Sequence, residues 1–517
     1  MPSKEAELFI KTHYAKLIPL NTALELSYFN AITTGKKEYY DEYENLSIEL
    51  NKLYNSKEDF ELVKKLKSED LNNELLKRQI DLIYNSFLSA QGDINLIKKI
   101  IGLSANIEKV FNTFRASIDG KEFTQNEIND ILKKSADSEE LRKSWMASKE
   151  QGAVVEKDII SLVKLRNELA QSLGFSNYYE FSMHLTEQDM PGIKKIFDKL
   201  AVLTEAPFKE LKKQMDNCLK KMFNVTELFP WHYKNPFFQE GPEIYRVNLD
   251  KYYSSIDVIS AAEKFYKSIG LEVSDILKRS DLYEKPGKFQ HACCTHIDRN
   301  GDVRIVENAK NNEKWMTTTL HELGHAVYEK FIDKTLPFIL KQASHIFTTE
   351  AIAQFFGEID KSPDFLKNYG NIGEEELGLI KKDLELTVRL NSLVFARWSL
   401  VMFNFEKSLY ENPSQDLNKL WYDLVKKYQL IDFYRDKPDW ASKTHLATAP
   451  AYYHNYLLGE LLASQLRHYL KNNPELDMGQ YFKEKIFSPG RKYKWDELIK
   501  KATGEPLNPK YFTQENC

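Results

Sequence analysis

The chain has 517 residues, and 72 Lys and Arg against 76 Asp and Glu leave a formal charge of −4. Both signs are mixed along the sequence, which argues against nucleic acid or an anionic membrane as the main partner. With 20 glycines, 17 prolines and abundant Leu, Lys, Glu and aromatic residues, the composition predicts a mainly α protein. No Pro/Gly/Ser-rich linker or low-complexity tract divides it. Four cysteines, Cys218, Cys293, Cys294 and Cys517, are few and badly placed for a disulfide framework, and the adjacent pair Cys293–Cys294, with no C-x-x-C spacing, suits small buried side chains better than a metal site. The N-terminus MPSKEAELFIKTHYAKL has no signal-type apolar core, so a cytoplasmic location is expected.

Residues 5 to about 120 predict several amphipathic helices, such as the stripe Leu76, Ile80, Ile83, Phe87 and Ala90, with Glu74, Lys77, Arg78 and Asp81 off it. Helices are expected to continue through 122–190, one opening at ADSEELRKSW and another ending at Gly174. LFPWHYKNPFF, aromatic and twice broken by proline, reads as a loop. From His291 the texture changes. HACCTHID and VRIVEN flank an Asn300–Gly301 turn, a hairpin whose exposed edge could pair with the main chain of an extended peptide.

Trp315 to Tyr328, WMTTTLHELGHAVY, carries the pattern H-E-x-x-H. On a helix, His321 and His325 sit one turn apart and aim at one point, with Glu322 beside a metal-bound water. Trp315, Met316, Leu320, Leu323, Val327 and Phe331 give the helical period. Such a match arises by chance on the order of a few times in a hundred in a chain this long, so a third ligand decides. Tyr328 and Phe331 occupy the places where a metzincin would have Gly and His. Glu350, 25 positions after His325 in HIFTTEAIAQFFGE, fits the start of a second helix facing the first, and Glu329 and Glu358 compete on composition alone. Leu390 to Phe405 is apolar but carries Asn391, Arg397 and Asn404, so it reads as a buried helix rather than a membrane span. Near the end, SKTHLATAPAYYHNYLLGELLASQL gathers Lys443, His445, Tyr452, Tyr453, His454 and Tyr456 ahead of a helix expected to start at Pro450. Donors gathered in this way suit an oxyanion site.

HELGH, Glu350 in a TEA context and the upstream hairpin resemble the angiotensin-converting-enzyme-like zinc metallopeptidases, especially bacterial members, and more distantly the thimet oligopeptidase group. The likeness runs from about residue 255 through AAEKFYKSIGL, YEKPGKFQHACCTHI, DVRIVEN and DWASKTHLATAPAYYHNYLLGELLASQL, and is looser earlier. It implies one Zn2+ on His321, His325 and Glu350, with Glu322 as general base. His291, Ala292 and Cys294 resemble the edge strand that holds the substrate main chain. Lys443 resembles the lysine that pairs with the substrate's terminal carboxylate, with Tyr453 beside it. His445 resembles the transition-state histidine, and Tyr456 the oxyanion tyrosine, with Tyr452 and Tyr453 as rivals.

Three positions depart from the animal enzymes. Gln354 stands where they have an aspartate that orients a zinc histidine. Asn455 replaces an arginine tied to chloride activation. The glutamine that helps hold the carboxylate has no evident counterpart near Trp231, where His232 is the candidate stand-in.

The resemblance implies a two-lobed helical zinc peptidase with a deep cleft. It would be a single catalytic unit over 1–517, with an N-terminal helical lid over about 1–120 and a zinc and substrate core over 255–517. The expected activity is hydrolysis of short peptides with release of C-terminal dipeptides. An oligoendopeptidase and a non-catalytic peptide-binding homologue are the alternatives.

Overall fold

The computed structural model describes residues 2–245 and 247–517. Helices make up 69% of the chain, and the described strands form only two two-stranded antiparallel sheets, so the fold is mainly α as composition predicts. Its principal elements, in chain order, begin with helices α1 (Pro2–Thr34) and α2 (Glu74–Ser89), the hairpin β1 (Ala116–Ile118) and β2 (Lys121–Phe123), and helix α3 (Ser138–Ser172). A second hairpin, β3 (Cys293–His296) and β4 (Val303–Val306), precedes α4 (Glu313–Lys330) and α5 (Ile346–Gly357). The chain closes through α6 (Glu374–Glu411), α7 (Leu417–Gln429), α8 (His445–Thr448), α9 (His454–Lys471) and shorter helices. Two compact units result, each built from separated stretches.

The first unit comprises Met1–Gln91, Asn248–Lys381 and Leu458–Asn508. In α2, capped by the Asn73 side chain, Leu76, Ile80, Ile83 and Phe87 are buried as the stripe predicts. They join Ala6 and Ile10 of α1, Val63, Leu66, Ile339 and Leu340 in one apolar cluster, each such burial contributing about 1.5–3 kcal/mol. Arg78, off that stripe, is nevertheless buried and donates from Nε to the carbonyl of Arg491 at 2.8 Å. Just beyond α1, Gly35 meets Gly287 backbone to backbone: a Cβ on Gly35 would lie 2.2 Å from the Gly287 carbonyl oxygen. Phe289 N donates to Ile32 O at 2.8 Å, tying the segment that leads into β3 to the first helix.

The expected hairpin forms, with Cys293 opposite Val306 and Cys294 opposite Ile305. Its turn carries left-handed φ values at Arg299 (49°) and Gly301 (113°). The strand starts at Cys293, so His291 and Ala292 lie just ahead of it. Helix α4, capped by Asn312, buries Met316, Leu320, Leu323 and Val327. Its face toward α5 carries Gly324, where a Cβ would come within 2.8 Å of the Ala353 Cα.

The second unit comprises Gly92–Val247, Lys382–Leu457 and Pro509–Cys517. Asp137 caps α3, which ends at Leu173 ahead of Gly174 with φ 91°. The β1–β2 hairpin falls where the sequence reading carries helices almost without break. Asp119 and Gly120 both take positive φ, the D-G signature of a tight hairpin turn. At Gly152 a Cβ would lie 2.4 Å from Pro438 O, so α3 backs closely onto the segment that leads to Lys443. Pro450 does not start a helix: Ala451 takes φ 53° and α9 begins at His454. Among the described residues no helix is long and apolar enough to cross a membrane.

Because the atoms facing Gly324 are backbone, Gly324→Ala is expected to push α4 and α5 apart at a cost of about 1–3 kcal/mol. Thermal unfolding of the variant beside the parent measures this.

Candidate metal centre and substrate groups

Helix α4 presents His321 and His325 with ring centroids 4.9 Å apart. From α5, Glu350 Oε2 lies 3.9 Å from Nε2 of each histidine, and one donor atom from each of the three falls within 4.8 Å of the others. A tetrahedral zinc shell with ligands at ~2.0–2.2 Å sets its donors roughly 3.3–3.5 Å apart. The three side chains therefore fit such an ion with small adjustment. Burial pushes the His321 imidazole down to about 4 and His325 well below its ordinary value, so both are in the neutral, ligating form near pH 7.

The competing acids are engaged elsewhere. Glu329 binds His296 Nδ1 at 3.0 Å, and Glu358 binds Arg467 at 2.8 Å. His325 Nδ1 is hydrogen-bonded to Thr349 Oγ1 at 2.7 Å. The partner of this ring is thus the threonine next to Glu350, while Gln354, at the position where the resemblance implies an aspartate, lies against Gly459. Nothing in the sequence marks Thr349, since its role depends on how α4 meets α5.

Glu322, between the two histidines, is buried, and desolvation, then Glu307 and Glu350, push its carboxyl up to about 8. Glu307 is itself fully buried and accepts from Thr319 Oγ1 at 3.0 Å, one turn before Glu322. Cys293 and Cys294 are half-buried rather than fully enclosed, and burial pushes the Cys293 thiol up to about 12, far from a reactive thiolate. Both thiols lie within electrostatic reach of Glu322, which sets β3 beside the motif. His291 is exposed, its ring 5.2 Å from Phe289.

The other predicted residues assemble in the second unit. The buried Lys443 ammonium sits about equally far from three rings, at 5.3 Å from Phe237, 5.2 Å from Trp398 and 5.1 Å from Tyr453. It donates to Gln239 Oε1 at 2.7 Å, and no carboxylate among the described residues lies within ion-pairing distance of it. Desolvation, only partly offset by Glu240, pulls it down to about 8. Trp398 Nε1 donates to the Tyr453 hydroxyl at 2.6 Å. The His445 ring stands 5.1 Å from Tyr453 and 6.4 Å from Tyr456, and Tyr452 lies 5.3 Å from Tyr456. Burial, then the Lys443 charge, pushes His445 down to about 4.

His232 does not join this group. Its Nδ1 accepts from Phe229 N at 2.8 Å and its Nε2 meets Ser138 Oγ at 2.8 Å. Gln239 takes the place beside the lysine. Its loop is pinned by Gln429, whose Nε2 donates to the carbonyls of Phe237 (3.0 Å) and Phe238 (2.8 Å), and by Asn391, which accepts from Gly241 N at 2.9 Å. The only trace of Gln239 in the sequence is an amide closing an aromatic loop. Asn455 accepts from Gln188 Nε2 at 2.8 Å and is spent on packing.

A mainly helical protein whose H-E-x-x-H helix meets a glutamate from the next helix has the fold and site of a metallopeptidase. A family model described as Peptidase family M3 matches residues 131–516, about three-quarters of the chain, and the chain belongs to that family. A model described as Angiotensin-converting enzyme matches residues 2–225. Carboxypeptidase 1 of Bacillus subtilis (strain 168) is 27% identical over 257 residues, 43% of this chain and 51% of that protein. Thermostable carboxypeptidase 1 of Pyrococcus furiosus is 24% identical over 245 residues, 41% and 49% of the two chains. The chain thus spans about half the length of the curated relatives it matches.

Replacing Thr349 by valine keeps the shape and removes the His325 partner. Zinc affinity, measured by competition with a chromogenic chelator, is expected to fall about 10- to 100-fold.

Proposed function

We propose that the protein is a zinc peptidase that shortens peptides from their free C-terminus and releases dipeptides. One observation carries the C-terminal preference. Lys443 is a buried ammonium in an aromatic enclosure, with one amide oxygen as partner and no carboxylate. A desolvated cation on which Glu240 acts only at a distance, with no carboxylate among the described residues in ion-pairing contact, is a strong receptor for a carboxylate brought by a ligand. The names of the two relatives, both carboxypeptidases, agree with attack from that end.

His321, His325 and Glu350 would hold the zinc, which when bound supplies Lewis acidity toward a water and the scissile carbonyl. Glu322 takes a proton from the attacking water and passes it to the leaving amine. The free edge of β3, with His291, Ala292 and Cys294, receives the substrate main chain as an added strand. Tyr456 and His445 donate to the oxygen as it gains charge, and Tyr453 with Gln239 steadies the carboxylate held by Lys443.

The deciding experiment is mass spectrometry of one decapeptide in free-acid and amidated forms. Successive loss of two-residue units from the free acid alone is the expected result. Internal cuts in both forms would move the assignment to an oligoendopeptidase, and single-residue losses would shorten the register. Glu322→Gln should keep its zinc and lose about 10²–10⁴-fold in kcat; substantial residual turnover would show that another group is the base.

Lys443→Met should raise KM for the free acid about 10- to 100-fold, the loss of one charge-assisted hydrogen bond, and leave amidated peptides little changed. The pH dependence follows from the direction of the lysine's shift. Burial favours the neutral amine, so the ammonium is present below about 8 and lost above it. KM for free-acid substrate should therefore rise as pH passes about 8, and KM for amides should not.

A further inference from the structure

Two buried ionisable side chains of the second unit, Arg166 on α3 and Glu406 on α6, have no role in the reading above. Both are aimed at one short stretch of backbone. Arg166 Nη2 donates to Ala447 O at 2.6 Å and Nη1 to Leu446 O at 3.3 Å, taking two carbonyls of α8, the helix that His445 opens. The guanidinium is itself held by the Tyr410 hydroxyl at 3.1 Å and by the Tyr178 ring, 5.6 Å from its carbon. Glu406 Oε1 accepts from Ala451 N at 2.7 Å. Ala451 is the residue with φ 53°, a left-handed conformation that disfavours any side chain with a Cβ. A four-residue helix followed by Pro450 and a strained alanine has little of its own to hold it. A buried carboxylate on the one N–H and a guanidinium on two carbonyls supply what the local sequence lacks.

We propose that Arg166 and Glu406 form a positioning clamp that fixes residues 445–451 and so aims His445, and Tyr456 just beyond, at the reacting carbonyl. The clamp acts through these groups and touches no substrate. It rests on the proposed roles of His445 and Tyr456. The anchor of Lys443 is separate, through Gln239 and the segment held by α3 at Gly152. Loss of the clamp should therefore disturb the transition-state donors more than carboxylate binding.

The test measures kcat and KM on a free-acid peptide, bound zinc and thermal unfolding for Glu406→Ala, Glu406→Gln, Arg166→Lys and the pair Glu406→Ala/Ala451→Gly. Glu406→Ala and Arg166→Lys are expected to lower kcat about 10- to 100-fold, the scale of an ångström of misplacement, with KM and zinc content within about twofold. Glu406→Gln still offers an oxygen to Ala451 N and should restore most of the turnover. So should glycine at 451, which adopts the left-handed conformation without help. Unchanged kcat in Glu406→Ala and Arg166→Lys would overturn the proposal, as would kcat, KM and zinc declining together with neither rescue effective. If Glu406→Ala does not fold, Arg166→Lys, which keeps the charge and loses the fork on the two carbonyls, decides on the same kcat-to-KM split. His445→Asn and Tyr456→Phe run alongside: full activity in both would defeat the functional reading itself, whereas losses there with an inert clamp would defeat only this inference.

Discussion

The candidate metal centre depends on a close approach of two helix backbones. His321 and His325 belong to α4 and Glu350 to α5, and the carboxylate can reach both imidazoles only because nothing larger than hydrogen separates Gly324 from Ala353. The H-E-x-x-H pattern leaves its third and fourth positions open to any residue, yet here the glycine is fixed by packing. Gly357 repeats the device further along α5, facing the Cβ of His321 at 3.3 Å from where its own Cβ would stand. The chemistry of the centre and the tightness of the helix pair are thus one constraint.

Burial favours the neutral form at several of the candidate groups. It holds His321, His325 and His445 neutral, lifts the Glu322 carboxyl and lowers the Lys443 ammonium. A site prepared in this way carries little settled charge of its own and gains most from a ligand that brings the opposite sign: a divalent cation among the histidines, a carboxylate at the lysine. Low local dielectric then strengthens each contact once formed.

Much of this was legible in the sequence where the signal is local. The 3.6-residue period around HELGH, the Asn300–Gly301 turn and the Asp137 cap each dictate their own few residues and needed no distant partner. Glu350 is legible as the acid one helix on, and the structure places it beside both histidines while Glu329 lies at His296 and Glu358 at Arg467. Reading failed where the deciding atom lies far along the chain. Gln239 is 204 residues from the lysine it binds, and His232, nearer the expected place, is claimed by Phe229 and Ser138. The burial of Arg78 has no local signal because its acceptor, the Arg491 carbonyl, is 413 residues away. Pro450 misled for a different reason: proline favours a helix start, but the buried Glu406 stabilises a left-handed turn directly after it. The β1–β2 hairpin is set by a local signal, the Asp119–Gly120 turn, but its strands are only three residues each between long helical stretches.

The discontinuity of the first unit also bears on how the protein is made. The apolar faces of α1 and α2 are completed by Ile339 and Leu340, and the end of α1 by Gly287 and Phe289. At roughly 5–20 residues per second, a ribosome needs on the order of ten to fifty seconds to travel from the first group to the second. Throughout that interval Ile10, Leu76 and Phe87 have been synthesised while part of their cover has not. The nascent chain therefore passes through a stage in which its N-terminal helices expose an unfinished core, and a holding chaperone would find its binding surface there.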